Sequence, residues 1–240
     1  SSGRNDTFKV ALEYVPVEWL RFRGGFNRAV RAPNLSELFS PQRTDFEGGD
    51  DPCNSLLNPS QQVKDLCVLT GIPAAEIDTF VPGLELFGRR GGNPNLDVEE
   101  SDSVTFGFVV SPPFLEGLNV TLDYFDIKVN SAVTATTAEQ VINACYAQTD
   151  PDSPFCTAVT RFPTGQVQEV LAVASNFASL EVSGWDLSFD YTRELPDSWG
   201  IGNNGASFAF RGLVSVLDER VTQQIPQQPA IDCAGFVGLN

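Results

Sequence analysis

Three times along the chain, two segments of strict apolar/polar alternation are joined by a short turn, and a long irregular stretch separates each pair from the next. Residues 7–15 put Phe8, Val10, Leu12 and Tyr14 on one face and Lys9, Ala11 and Glu13 on the other. Residues 20–30 alternate Leu20, Phe22, Gly24 and Phe26 with Arg21, Arg23, Gly25 and Asn27. The second pair sets Val104, Phe106, Phe108 and Val110 (98–111) and Leu118, Val120, Leu122 and Tyr124 (118–130) against polar partners. The third runs through Trp185, Leu187, Phe189 and Tyr191 (180–193), then back through Phe208 and Phe210 (206–217). A period of two specifies strands with one apolar face. The expected turns, at 16–18, 112–117 and 195–205 with Trp199, make each pair an antiparallel hairpin. Between Val182 and Trp185 the alternation slips by one, as a bulge at Ser183-Gly184 would cause.

The long stretches, about 33–96 and 131–176, both emerge at the same end of such a sheet. They are far longer than the usual four to six residues, which marks them as functional or covering loops. Ser60 is placed to cap a helix through Val63, Leu66 and Leu69 that stops at Gly71. Further short helices are expected over 73–80 and 138–148, and a hairpin limb near 166–173. Cys53 and Cys67 lie 14 residues apart in one loop, and Cys145 and Cys156 lie 11 apart in the other. Neither spacing suits a zinc ribbon or a redox C-x-x-C. Set among Pro, Asn, Asp and Ser, they read as two local disulfides of an oxidising compartment. Cys233 is left over, and its partner is expected beyond Asn240.

Composition removes several functions. A net charge of −16, from 15 basic and 31 acidic residues, excludes nucleic acid as a partner. The chain has no His, so the commonest general base and metal ligand are missing. No G-x-S-x-G, H-E-x-x-H, Walker or dinucleotide motif occurs, which argues against an enzyme and against a cofactor. The carboxylate pairs Glu99-Glu100 and Asp186/Asp190 read as solvated or lumen-facing charge. The acidic run from Asp45 to Asp51 reads as a solvated loop without EF-hand spacing. Arg89-Arg90 could contact an anionic solute, or simply answer the surrounding acidity. No apolar run is long enough for a spanning helix, while a barrel hides its apolar residues by alternation. Charged residues on the polar faces (Arg21, Arg23, Asp123, Asp186, Asp190, Arg211) and aromatics near strand ends lean toward a membrane barrel. A soluble β-sandwich alternates in the same way.

Two motifs decide between these. Asn27–Phe39, NRAVRAPNLSELF, resembles through Arg31, Ala32, Pro33, Glu37, Leu38 and Phe39 the "FRAP…ELF" signature of TonB-dependent outer-membrane receptors. GGNPNLDVEES resembles through Gly92, Asn93, Pro94, Leu96, Glu99 and Ser101 the family's "GNP.L.PE.S" segment. The resemblance implies an all-β antiparallel meander, residues 1–240, forming part of a large transmembrane β-barrel in the outer membrane of a Gram-negative cell, with long outer loops carrying short helices. The plug, the TonB-contacting peptide and the closing strands would lie outside this segment, as would any export signal. It further implies import of a scarce solute (a siderophore, cobalamin or an oligosaccharide) bound at the outer loops, energy relayed from the TonB system through the plug, and contact with outer-membrane lipid and lipopolysaccharide. Arg28, about 20 Å above Leu20 on a tilted strand, is placed to meet a lipopolysaccharide phosphate. The alternative is a soluble β-rich carbohydrate-binding or adhesin module.

Overall fold

A computed structural model describes residues 6–83, 85–196 and 206–236. In chain order the elements are β1 (Phe8–Val17), β2 (Leu20–Arg31), α1 (Leu35–Phe39), β3 (Arg43–Glu47), α2 (Gln61–Leu69), β4 (Leu86–Arg90), β5 (Glu99–Val110), β6 (Leu118–Thr134), α3 (Ala138–Tyr146), α4 (Pro154–Thr157), β7 (Val159–Arg161), β8 (Val167–Leu171), β9 (Ser175–Glu194), β10 (Ser207–Gln223) and β11 (Ile231–Asp232). Two sheets result: a large one in the order β1-β2-β5-β6-β9-β10-β11, and a small one in the order β3-β4-β8-β7. Every pairing in the large sheet is antiparallel.

The six long strands are those the alternation marks, with local shifts. The first turn is Glu18-Trp19, two residues later than expected, because β1 continues through Pro16. Its ladder slips between Tyr14↔Phe22 and Val17↔Leu20, and the proline, which has no N–H to donate, sits in that bulge. The bulge expected at Ser183-Gly184 lies on the neighbouring strand: β9 pairs without interruption to β6 there, while β10 shifts between Leu217 and Glu219. The segment 73–80 is two successive turns, Glu76 N–H to Pro73 O at 2.9 Å and Thr79 N–H to Glu76 O at 2.9 Å, and no helix. Ser60 caps α2 as expected, accepting from Val63 N–H, and Gly71 beyond its end takes a φ of +116°. The turn around Trp199 lies outside the described residues. After β10 the chain turns back within 224–230 and re-enters the sheet as β11, so the third outer connection is short.

Residues directly opposite in adjacent strands share a face, so the register assigns each side chain. One face carries an apolar band that descends across the strands. Its upper edge is Phe8 on β1, level with Arg28, but Tyr124, Trp185 and Val216 on β6, β9 and β10, level with Gly24, four residues lower on β2. Its lower edge falls likewise, from Val17, level with Leu20, to Phe208, level with Arg193. Four residues over five interstrand steps, at about 3.3 Å per residue and 4.8 Å per strand, is the descent of a flat slab across strands tilted by about 30°, near the tilt of closed barrels. The band lies open, Leu12 being 75% exposed. A water-facing sheet does not present so broad an apolar face. Aromatics mark its margins: Phe106, Tyr124 and Trp185 cluster at the top with centroids 5.0–5.8 Å apart, and Tyr191 and Phe208 meet at 5.5 Å near the bottom.

The opposite face is polar over the same height. Arg23 donates to Asp123 at 2.8 and 2.5 Å, reaching from β2 to β6 across β5. Gly107 stands between them in register, and a β-carbon there would overlap the Asp123 carboxylate and the Leu122 carbonyl. Arg211 meets Asp190 at 2.8 Å, and Ser215 bonds Asp186 at 2.5 Å. Replacing Gly107 by Val should therefore push this bridge apart and cost about 1–3 kcal/mol in the full-length receptor. The reading is the denaturant midpoint in detergent, with Gly48→Ala, at a position where nothing lies within 4 Å, as control. Equal midpoints for the two variants would show that the bridge across β5 does not need the glycine.

Candidate functional site

Above the band, the long connections fold together into a cap with its own core. Leu66, Ile72, Phe80, Leu86, Ile142 and Val170 are buried in one cluster that Ile225, from the third outer connection, also joins. The small sheet forms one wall; its β4–β8 pair is parallel and joins the two long loops. Capping bonds fix the helices: Thr137 accepts from Gln140 N–H, whose side chain returns to Thr137 N–H, and Ser153 accepts from Cys156 N–H. Both expected disulfides are present, Cys53–Cys67 and Cys145–Cys156, with Cα separations of 5.9 and 4.6 Å. Cys233 is exposed and has no disulfide partner among the described residues.

Within this core lies an ion pair that the alternation does not announce. Arg161 donates to Asp51 at 2.6 and 2.9 Å, to Tyr146 Oη at 2.9 Å and to Gly165 O at 2.8 Å, with both charged side chains 1% exposed. Burial opposes the guanidinium's charge; the bonds to Asp51 and the proximity of Tyr146 outweigh it and raise its pKa. Asp51 also accepts from Cys53 N–H, and Tyr146 bonds Thr70, so the pair ties both disulfide loops to one point. The acidic run is thus solvated only in part: Asp45, near Arg43 at 3.0 Å, and Asp50 are exposed, while Glu47 is engaged by Arg90 and Asp51 by Arg161. Arg89 is likewise answered, by Glu169 at 3.2 Å. Beside this network an open, mostly apolar hollow of about 360 Å³ is lined by Pro52, Leu57, Pro59, Val63 and Tyr146.

The two sequence motifs meet where cap joins wall. Arg31, ending β2, donates to Glu99 at 2.6 Å from Nε and Nη2, and to Glu37 at 3.2 Å. Asn34 caps α1 through Glu37 N–H, and Glu37 returns a carboxylate to Asn34 N–H. Pro33 and Ala32 lead into that cap. Asn93 N–H donates to Glu37 O at 2.8 Å and Gly92 N–H to Ser40 O at 3.0 Å. A β-carbon on Gly92 would come within 2.6 Å of Ser40 N, with the Leu38 and Phe39 backbone beside it, so only glycine fits. Leu96 is buried, and Pro94 lies between these contacts. Glu99 also accepts from Val133 N–H of β6, while Ser101 lies in register between Ala29 and Val129. Asn176 completes the seam, donating to Asp97 O and Ser131 O and accepting from Asp97 N–H. Arg28 sits on the same face as the apolar band and above it on β2, paired through two bonds of 2.7 and 2.6 Å with Asp102. In the same register row, Lys128 pairs with Glu181 at 2.5 Å.

An apolar outer band, a polar inner face and a large cap at one end define a sector of an outer-membrane barrel with its outer loops. The family model described as TonB dependent receptor-like, beta-barrel matches residues 1–231, and the chain belongs to that family. Among solved structures, a mutant of the ferric enterobactin receptor PfeA from Pseudomonas aeruginosa aligns with a TM-score of 0.51 at 15% identity, over 92% of this chain and 24% of that one. The siderophore receptor PirA from Acinetobacter baumannii aligns with a TM-score of 0.48 at 15% identity, over 90% of this chain and 24% of that one. The chain thus spans about a quarter of the length of these receptors. No curated protein sequence matches it.

Removing one member of the Asp51–Arg161 pair strands the other in the core. Arg161→Met should destabilise the cap by about 3–5 kcal/mol, and Arg161→Met with Asp51→Leu should recover much of that. Limited proteolysis of the full-length receptor reads this as early cleavage within 33–96 or 131–176. Equal resistance of the single variant and the parent would show that the pair is not what holds the cap.

Proposed function

We propose that this chain is the wall sector and outer cap of a TonB-dependent importer that takes a scarce, bulky solute from outside the cell. The observation that carries the reading is the descending apolar band backed by a charged inner face and surmounted by a disulfide-braced cap. An open apolar band of this breadth supports a wall set in lipid, with the cap over the entrance. The solute meets the cap and the upper inner wall; passage draws on energy relayed through TonB and the plug. Members of the family are transporters, and no catalytic step enters this reading. Siderophore, cobalamin and oligosaccharide remain the three solute classes. A receptor of like fold is a ferric enterobactin receptor, so a siderophore is the first to try.

The soluble-module reading requires the apolar faces to pack on each other, and across the described residues they lie open instead. At the outer collar, a lipopolysaccharide contact at Arg28 would share the guanidinium with Asp102. Arg28→Gln in the full-length receptor should then lower co-purifying lipopolysaccharide, and an unchanged amount would remove that contact from the proposal.

The decisive experiment is uptake of the three labelled solutes by cells with and without the full-length receptor, each with and without a protonophore. Receptor-dependent, protonophore-sensitive uptake of one class is the expected result. Uptake insensitive to the protonophore would describe a passive pore, and no receptor-dependent uptake of any class would sink the importer reading.

A further inference from the structure

Where β6 leaves the wall for the cap, its ladder to β9 slips twice, and the two slips cancel. Up to Val129↔Leu180 the strands keep one register. Ala132 then faces Ala178, one residue out of step, and Thr134 faces Ser175, back in the register of Val129. β6 carries the extra residue in the first slip and β9 carries it in the second. Between the two flanking pairs each strand has the same number of residues, so an unslipped ladder fits there without moving either pair. In that ladder Ser131 would face Ala178, and Val133 would face Asn176.

The slipped form is strained in itself and held by its surroundings. Ser131 takes a φ of +54°, in the left-handed region that a residue with a β-carbon disfavours. The Asn176 amide secures it: Nδ2 donates to Ser131 O at 2.8 Å and to Asp97 O at 2.9 Å, and Oδ1 accepts from Asp97 N–H at 2.9 Å. Asp97 lies at the returning end of the first long loop, where Asn93 also donates to Ala174 O. The second bulge likewise sets Phe177 against Phe155 of α4, with ring centroids 4.7 Å apart. Glu99 accepts from Val133 N–H at 2.7 Å, and Ala132 and Ala178 are buried. Slipped ladder and seated cap therefore support each other. The unslipped ladder would instead relieve Ser131 and restore regular pairing.

We propose that residues 130–134 and 175–179 form a latch with two registers, slipped when the cap is seated and regular when it is released. Closing both bulges re-aims Asn176 and Phe177 away from Asp97 and Phe155. The flanking pairs stay as they are, so the cap leaves its seat while the ladder below Val129 keeps every backbone bond. Two pairings that share their ends, and differ by one left-handed residue and one amide clamp, make a bistable element. Ser131 biases it from the strand and Asn176 from the cap. The latch does not depend on which solute the receptor takes.

The test is hydrogen exchange of the full-length receptor in detergent, read residue by residue by mass spectrometry. Unchanged exchange from Val120 to Val129 confirms that each variant is folded. Asp97 N–H reports the seated cap while Asn176 is intact. Glycine adopts a left-handed φ freely, so Ser131→Gly should slow exchange at Asp97 about fivefold. A β-branched residue tolerates that φ least, so Ser131→Val should speed it about tenfold. The double variant Ser131→Val with Asn176→Ala is biased from both sides toward the regular register. Its amides at 130–131 and 176–177, inside the two bulges, should exchange about fivefold more slowly than in the parent. A junction that merely frays loses protection there instead. Equal rates at Asp97 in Ser131→Gly and Ser131→Val, or unchanged or faster exchange inside the bulges of the double variant, would overturn the latch. If the double variant does not fold, Asn176→Ala alone is read inside the bulges by the same criterion.

Discussion

Hydrocarbon offers a peptide group no hydrogen bond, so everything in this molecule that crosses the membrane must satisfy its own backbone. That requirement is visible in the central ladder. From Leu20↔Val110 to Arg31↔Glu99, β2 and β5 pair without a single slip, and β5 and β6 do the same from Glu100↔Asn130 to Val110↔Val120. Irregularities are pushed to the margins of the apolar band: the bulge at Pro16 lies at its lower edge, and the shift between Leu217 and Glu219 begins just beyond Val216 at its upper edge. The same rule explains why side-chain choice within the band is loose. Any apolar residue satisfies lipid, whereas a broken pairing satisfies nothing.

The cap obeys different physics. It stands in water, where its loops can bond solvent, so the ladder is not its constraint; its difficulty is a small core drawn from segments distant in sequence. Two disulfides brace its two long loops, and the Asp51–Arg161 pair joins those loops across a separation of 110 residues. Such a pair adds little net stability, since both ions lose their hydration, but it is intolerant of half measures. It therefore fixes which arrangement of loops is the folded one. The seam at Arg31, Glu37, Glu99, Asn93 and Asn176 passes that arrangement to the wall.

The sequence reveals the wall more fully than the cap because the wall is written in a local code. Alternation at period two needs only neighbouring residues, so all six long strands and both long outer connections are legible. The cap sheet is legible only at β8, which falls on the hairpin limb expected near 166–173 and pairs with β7; β3, β4 and β7 are three to five residues long, and the β4–β8 pair joins residues about 80 apart in sequence. What is legible there is local as well: the cysteine pairs, 14 and 11 residues apart, and the helices α2, capped by Ser60, and α3. Proline at position 16 suggested a turn, since sequence alone does not show that a bulge would absorb its missing N–H.

The face change at Val182–Trp185 shows how one pattern can have two causes. A bulge moves the side chains while the environment stays fixed; a membrane boundary moves the environment while the strand stays regular. Unbroken pairing of Phe125↔Gly184 and Asp126↔Ser183 selects the second cause. Once β9 rises out of lipid, its outward face turns polar, with Ser183 and Glu181 beside Asp126 and Lys128, and nothing requires its inward face to remain so. The slip in the alternation therefore marks the height at which the apolar band ends on β9, with no irregularity in the β6–β9 ladder there.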